Sequence, residues 1–238
     1  MEWRDEGIVI GVRRHGEGSA VLEALTREHG RHLGLVRGAN SPKLRASLQS
    51  GNTLGLVWRA RLEDHLGLYQ TEPLNLRAGR LMGEARALAG LGYISALLRL
   101  APERDPHLVL FEAAEKTLAA LETPAAAGEL ARFELLALSE SGFPLDLETC
   151  AATGARENLI YVSPRSGRAV SLEAGAPWRD RLLPLPAFLR DDALRASDAE
   201  ALAAFEMTGY FLLRDVFAPR GLPLPDPRRA FLATLKGG

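Results

Sequence analysis

The chain has 238 residues, 47% of them apolar and 25% charged, with a formal net charge of −1. That is enough apolar mass for one large domain or two small ones. No stretch is long and apolar enough to read as a membrane span. The first residues, Met1-Glu2-Trp3-Arg4-Asp5-Glu6, are charged and lead into no secretory core, so the expected location is the cytoplasm, without membrane contact. One cysteine, Cys150, excludes an intramolecular disulfide and a four-thiolate zinc site.

The small net charge hides an asymmetry. Residues 1–80 carry 12 basic and 9 acidic side chains, and residues 81–238 carry 17 and 21. Between Arg13 and Arg61 the count is 9 basic against 3 acidic. A basic segment joined to an acidic one points to a polyanion on one side and a different partner on the other.

In chain order, Gly7–Val12 is a strand-like run, turned by Gly16-Glu17-Gly18-Ser19 into Ala20–Thr26. A second turn, Glu28-His29-Gly30-Arg31, leads into His32–Val36, and a polar segment 37–43 follows. Thr53–Arg61 alternates with period two, and Gly67–Glu72 is stopped by Pro73. Five short strands with turns between them predict a small barrel of the oligonucleotide-binding (OB) type, with an SH3-like barrel as the nearest competitor.

After Leu76 the period becomes helical. Leu81, Ala85, Leu88, Gly92 and Ser95 share one predicted face. Asp105-Pro106 reads as a helix start before the stripe Leu108, Phe111, Leu118 and Leu121. A helix is expected over 126–141, with Leu130, Phe133 and Leu136 inward, ended by Gly142. Residues 145–186 read as a loop-rich insertion with one strand, Leu159–Val162. Ser197-Asp198-Ala199-Glu200 is a capping box starting another helix, and a short last helix follows Pro227. The expected architecture is α+β: a barrel over 1–78 and a helical domain over 79–238.

Enzymatic motifs are missing. No phosphate-cradling Walker loop and no nucleophile elbow occurs, and Gly16-Glu17-Gly18 reads as a hairpin turn. Cys150 has no neighbouring cation in sequence and reads as a structural thiol. The histidines (His15, His29, His32, His65, His107) read as solvated loop residues. Glu112, Glu115, Glu129 and Glu134 read as solvated helix-face carboxylates. What remains is the basic set Arg13, Arg14, Arg27, Arg31, Arg37, Lys43, Arg45, Arg59 and Arg61, suited to phosphate neutralisation. Aromatics for base stacking are few, namely Trp3, Trp58 and Tyr69, with Trp58 placed in the core.

Several segments in order carry a resemblance. They are Asp5–Arg13, Glu17–Leu22, Thr26–Arg31, Val36–Lys43, Phe133–Leu136, Gly142–Gly154 and Tyr161–Ser171. Together they resemble the bacterial RecO family of recombinational repair mediators over nearly the whole chain. The resemblance implies an OB barrel followed by a helical domain with a zinc-ribbon-like insertion. It also implies a non-enzymatic role in DNA repair and recombination. Family members bind single- and double-stranded DNA, anneal complementary strands, contact RecR and dock the tail of the single-stranded-DNA-binding protein. They act with RecF and RecA indirectly, helping to load RecA.

DNA contacts are therefore expected at Arg13, Arg14, Arg31, Arg37, Lys43, Arg45, Arg59 and Arg61. Partner contacts are expected at Arg190, Arg195, Arg214, Arg220, Arg228 and Arg229. The family's paired Cys-x-x-Cys motifs are reduced here to Cys150-x-x-Thr153 and Ser171-x-x-Ala174, so no zinc and no other cofactor is expected. The competing readings are an RNA-binding chaperone and a protein scaffold.

Overall fold

The computed structural model describes residues 1–237. It divides into two compact units, Met1–Glu122 and a second beginning at Thr123.

The first unit is built on β1 (Glu2–His15), β2 (Ser19–Thr26), β3 (Gly30–Arg37), β4 (Thr53–Arg59) and β5 (Leu68–Asn75). They close in the order β1-β2-β3-β5-β4, the OB arrangement. Closure rests on a parallel contact between Leu35 and Leu68, where the Leu35 amide donates to Gly67 O at 3.0 Å. β1 is longer than its sequence signal, because its first half pairs with β4 and its second half with β2, across a bulge between Val9 and Gly11.

Alternation turns one set of side chains inward. Val9, Leu22, Ala24, Val36, Leu54, Leu56, Trp58 and Tyr69 form the barrel core. Trp58 is 1% exposed, and its indole N–H donates to Leu66 O at 3.0 Å. Gly67, at φ +66°, crosses that indole so closely that a Cβ would stand 2.3 Å from its Nε1. Trp3 stacks on His29 at 4.1 Å and packs on Trp58 at 5.5 Å between ring centres.

His32 departs from its expected place in a solvated loop. It is buried, 5.0 Å from the Trp58 ring and 3.2 Å from the Tyr69 hydroxyl. Burial, aided by the Arg104 charge, lowers its pKa to about 4. The unfolded chain therefore takes up this proton near the ordinary histidine value while the folded chain does not. Stability should fall as pH drops from about 6.5 toward 4. A melting-temperature series over that range checks this, and His32→Gln should flatten the dependence.

The polar segment after β3 enters a short helix that sequence periodicity did not predict, α1 (Pro42–Ser47), capped by the Ser41 hydroxyl. Asn52, 1% exposed, uses its amide on Ala46 O and Ser47 O and accepts from the Ala78 amide. This joins α1 and β4 to α2 (Ala78–Leu81). The helices α3 (Ala85–Leu98) and α4 (Leu108–Ala120) belong to the same compact unit. α3 buries Ala87, Leu91, Ile94 and Leu98, whereas Leu88, expected inward, is 47% exposed. α4 starts two residues later than expected, with His107 rather than Asp105 at its N-cap, and leaves Leu108 exposed. Arg77, 2% exposed, bonds Glu115 of α4 at 2.7 Å and Thr53 of β4 at 3.1 Å.

In the second unit, α5 (Ala126–Glu140) packs on α7 (Asp198–Phe211), and α8 (Asp226–Leu235) packs on α7. The capping box is formed: Glu200 N–H reaches Ser197 Oγ, and the Ser197 amide reaches the Glu200 carboxylate. α7 widens into a π-helical turn, Leu212–Phe217. The loop-rich insertion holds a three-stranded sheet ordered β7-β6-β8, made by β6 (Leu159–Val162), β7 (Ala169–Ser171) and β8 (Leu183–Pro184). A short α6 (Leu172–Gly175) follows β7.

Candidate nucleic-acid interface

The face of interest is the outside of β1, β2 and β3. Directly opposed residues in an antiparallel pair lie on the same face. Register therefore places His15, Ser19 and Arg37 in one outward row, and Arg13, Val21 and Leu35 in the next. The third row is Gly11, Glu23 and Leu33. The first two rows end in cations. In the third, Glu23 is held by Arg31 at 2.7 Å and Arg99 at 3.0 Å. A shallow cleft of about 260 Å³ runs along this face between Arg13 and Arg99.

Arg13, Arg14, Arg37, Lys43, Arg45 and Arg61 are all exposed. Their side chains take part in no hydrogen bond or ion pair among the described residues. Arg13 and Arg37 share this outward face at the ends of β1 and β3, whereas Arg14, opposite Ala20, stands on the other face of β1 at the same end; the β1–β2 turn ties these ends to the β3–α1 segment. There the Ala39 amide donates to Gly18 O, and Asn40 Nδ2 donates to Glu17 O. Lys43 and Arg45 ride on α1 immediately after that segment. Arg61 stands in the loop after β4.

The other expected contacts are engaged within the protein. Arg31 is largely buried, bonding Ala101 O and Glu23, and so acts as a structural pin. Arg59 forms a two-bond pair with Glu2 at 2.8 and 3.1 Å, which holds the Glu2 carboxyl below its usual range. Arg27, a member of the basic set but not an expected contact, lies over the Phe111 ring and pairs with Glu112 and Glu6. Sequence alone could not separate these cations from the free ones, because their partners come from distant segments.

On the other flank of β3 is a second cleft, of about 390 Å³. Arg37 and Arg59 line it together with Leu35, Leu44, Leu68, Gln70 and Thr71. The neutral residues Gln70 and Thr71 carried no sequence signal for a site.

Two family models divide the chain between them. One described as Recombination protein O N terminal matches residues 1–77, and one described as Recombination protein O C terminal matches residues 82–222. The chain belongs to the RecO family. It is 58% identical to the DNA repair protein RecO of Mesorhizobium japonicum, covering 99% of this chain and 94% of that one. The DNA repair protein RecO of Methylocella silvestris is also 58% identical, over 98% and 95% of the two chains. RecO proteins are DNA repair mediators rather than enzymes. The family division falls near residue 80, at the change from strands to helices, while the compact units divide after Glu122.

In the C-terminal half of this RecO chain the expected partner residues separate. Arg195 and Arg229 are exposed, the latter paired with Asp226 at 2.9 Å. Arg190 donates to Arg156 O and Arg220 to Val216 O. Arg214 is tied to Asp215, to Pro164 O and to the faces of Tyr210 and Phe211. Arg228 is not a rim residue. It is 8% exposed and paired with Glu134, which is 0% exposed rather than solvated as its sequence position suggested. A groove of about 470 Å³ runs beside α8, lined by Pro223, Leu224, Leu232, Arg229 and Lys236 among others.

The positions that would hold zinc in the family are Cys150, Thr153, Ser171 and Ala174. Cys150 is buried, accepting from the Ser171 amide at 3.3 Å with Ser171 Oγ at 3.6 Å. Burial alone would raise its pKa, but hydrogen bonds from Thr153, Ser171 and Ala152 outweigh it and bring the thiol down to about 6. Amides and hydroxyls, not a cation, perturb this thiol. One thiolate with two hydroxyls and a methyl does not fit tetrahedral zinc.

Proposed function

We propose that the barrel binds single- and double-stranded DNA through its phosphates and promotes annealing of complementary strands. The observation that carries this is the placement of Arg13 and Arg37 on one outward face at one set of strand ends, with Arg14 at the same end of β1 and Lys43 and Arg45 following on α1, all exposed and unpaired. Trp3, Trp58 and Tyr69 meanwhile pack against one another inside the barrel and leave no stacking platform. Such a surface neutralises the backbone and releases counterions while leaving base edges open to pair. Two strands held this way lose their mutual repulsion, and base pairing supplies the selectivity.

The helical part serves partners. The apolar groove beside α8, with Arg229 and Lys236 on its rim, suits an acidic peptide with apolar side chains. The single-stranded-DNA-binding protein's tail is the occupant the family resemblance implies, with RecR as the second partner and RecF and RecA reached indirectly. Residues 1–78 would then carry DNA and residues 79–238 the protein contacts, in the cytoplasm at the nucleoid. The deciding experiment is a strand-annealing assay with and without single-stranded-DNA-binding protein. Annealing that fails in both conditions, with no salt-sensitive DNA binding, sinks the proposal.

The protein works without zinc in this reading. Dialysis against a chelator should leave the melting temperature unchanged, where a four-thiolate ribbon would lose its fold. A drop of several degrees, restored by zinc, would refute this.

A further inference from the structure

The cleft on the β3–β5 flank asks for a ligand different from a bare phosphate chain. Its walls are apolar, from Leu35, Leu44 and Leu68, and its volume of about 390 Å³ is that of a small-molecule site. Arg37, exposed and unpaired, stands at its edge, and Lys43 is next in sequence to Leu44 on α1. Arg59 is fixed in orientation by its two bonds to Glu2. Gln70 is exposed, and its side-chain amide bonds to nothing among the described residues. The Thr71 hydroxyl is shielded from water and also lacks a partner. A native structure rarely leaves a buried hydroxyl unsatisfied, so an occupant of the cleft able to hydrogen-bond would answer it.

We infer that this cleft takes a single unpaired nucleotide of a bound strand, with its base against the leucines and its phosphate at Arg37. The inference rests on the DNA-binding reading above. Charge selects the occupant: the free cation favours an anionic ligand, and the apolar walls favour one with a flat, poorly hydrated body. Both Gln70 and Thr71 can donate or accept hydrogen bonds, so the cleft discriminates weakly among bases. One anchored nucleotide would fix the register of the strand while its neighbours stay free to pair.

The test compares a short oligothymidylate with an abasic phosphodiester of equal length and charge. The native protein should bind the oligothymidylate more tightly with the same salt slope. Thr71→Val should weaken that binding about fivefold, the worth of one hydrogen bond, and leave the abasic ligand unaffected. Adding Gln70→Ala should narrow the gap further, to what the leucines alone supply. Thr71→Val should not lower the melting temperature, since the hydroxyl bonds nothing in the folded protein. Equal binding of the two ligands by the native protein overturns the cleft as a nucleotide site and leaves phosphate binding standing. So does a preference that both substitutions leave at its native size. Binding to neither ligand overturns the underlying DNA-binding reading as well.

Discussion

Replacing Arg37 and Lys43 together with alanine should flatten the salt dependence of DNA binding without weakening the fold. Each lost phosphate contact lowers the slope of log affinity against log salt by about 0.7 on single strands and about 0.9 on duplex. The pair should therefore lower the slope by about 1.4 and weaken single-strand binding about 25-fold near 0.1 M salt, regardless of sequence. Neither side chain has a protein partner to abandon, so the melting temperature should hold. Arg31→Ala is the contrasting control. It removes a partner from Glu23, whose side chain is only 17% exposed, and should cost stability while leaving the slope alone. A slope identical to the native value in the double variant would remove the β3–α1 segment from the interface.

Breaking the Glu134–Arg228 pair should be the most damaging single change in the second unit. Glu134 on α5 accepts from Arg228 Nε at 3.1 Å and Nη2 at 3.0 Å, and from the Thr208 hydroxyl at 2.6 Å. Arg228 also donates to Phe205 O and lies over that ring. The pair thus ties α5, α7 and α8 together where water is excluded. Arg228→Met alone would leave a buried carboxylate without its counter-charge, a loss of about 3–5 kcal/mol. The double change Arg228→Met with Glu134→Leu should recover most of that, because no charge is then stranded. Urea midpoints for the two singles and the double give the coupling. Strictly additive losses would show that the ions act independently.

The barrel was legible because its strands obey simple rules: alternation inward, turns at glycine, and a period that changes after Leu76. The helix boundaries were legible where a local device marks them, as at Ser197 with Glu200 and at Gly142, whose φ of +93° ends α5. What stayed hidden depends on partners far apart in sequence. Nothing near Arg31 announces Glu23 and Ala101, and nothing near Arg228 announces Glu134, 94 residues away. The same holds for His32, whose position just after a turn conceals a place in the barrel core. Charge type is written in the sequence, but whether a charge is spent internally is decided by packing.

The Arg77 clamp has a consequence for what counts as a module. Its guanidinium is nearly sealed from solvent and answered by Glu115, which lies beyond the point where the two family descriptions part. Severing the polypeptide there would strand a desolvated cation and bare the apolar side of α3. The heritable unit and the compact unit therefore do not coincide: the former stops near residue 77, and the latter reaches Glu122.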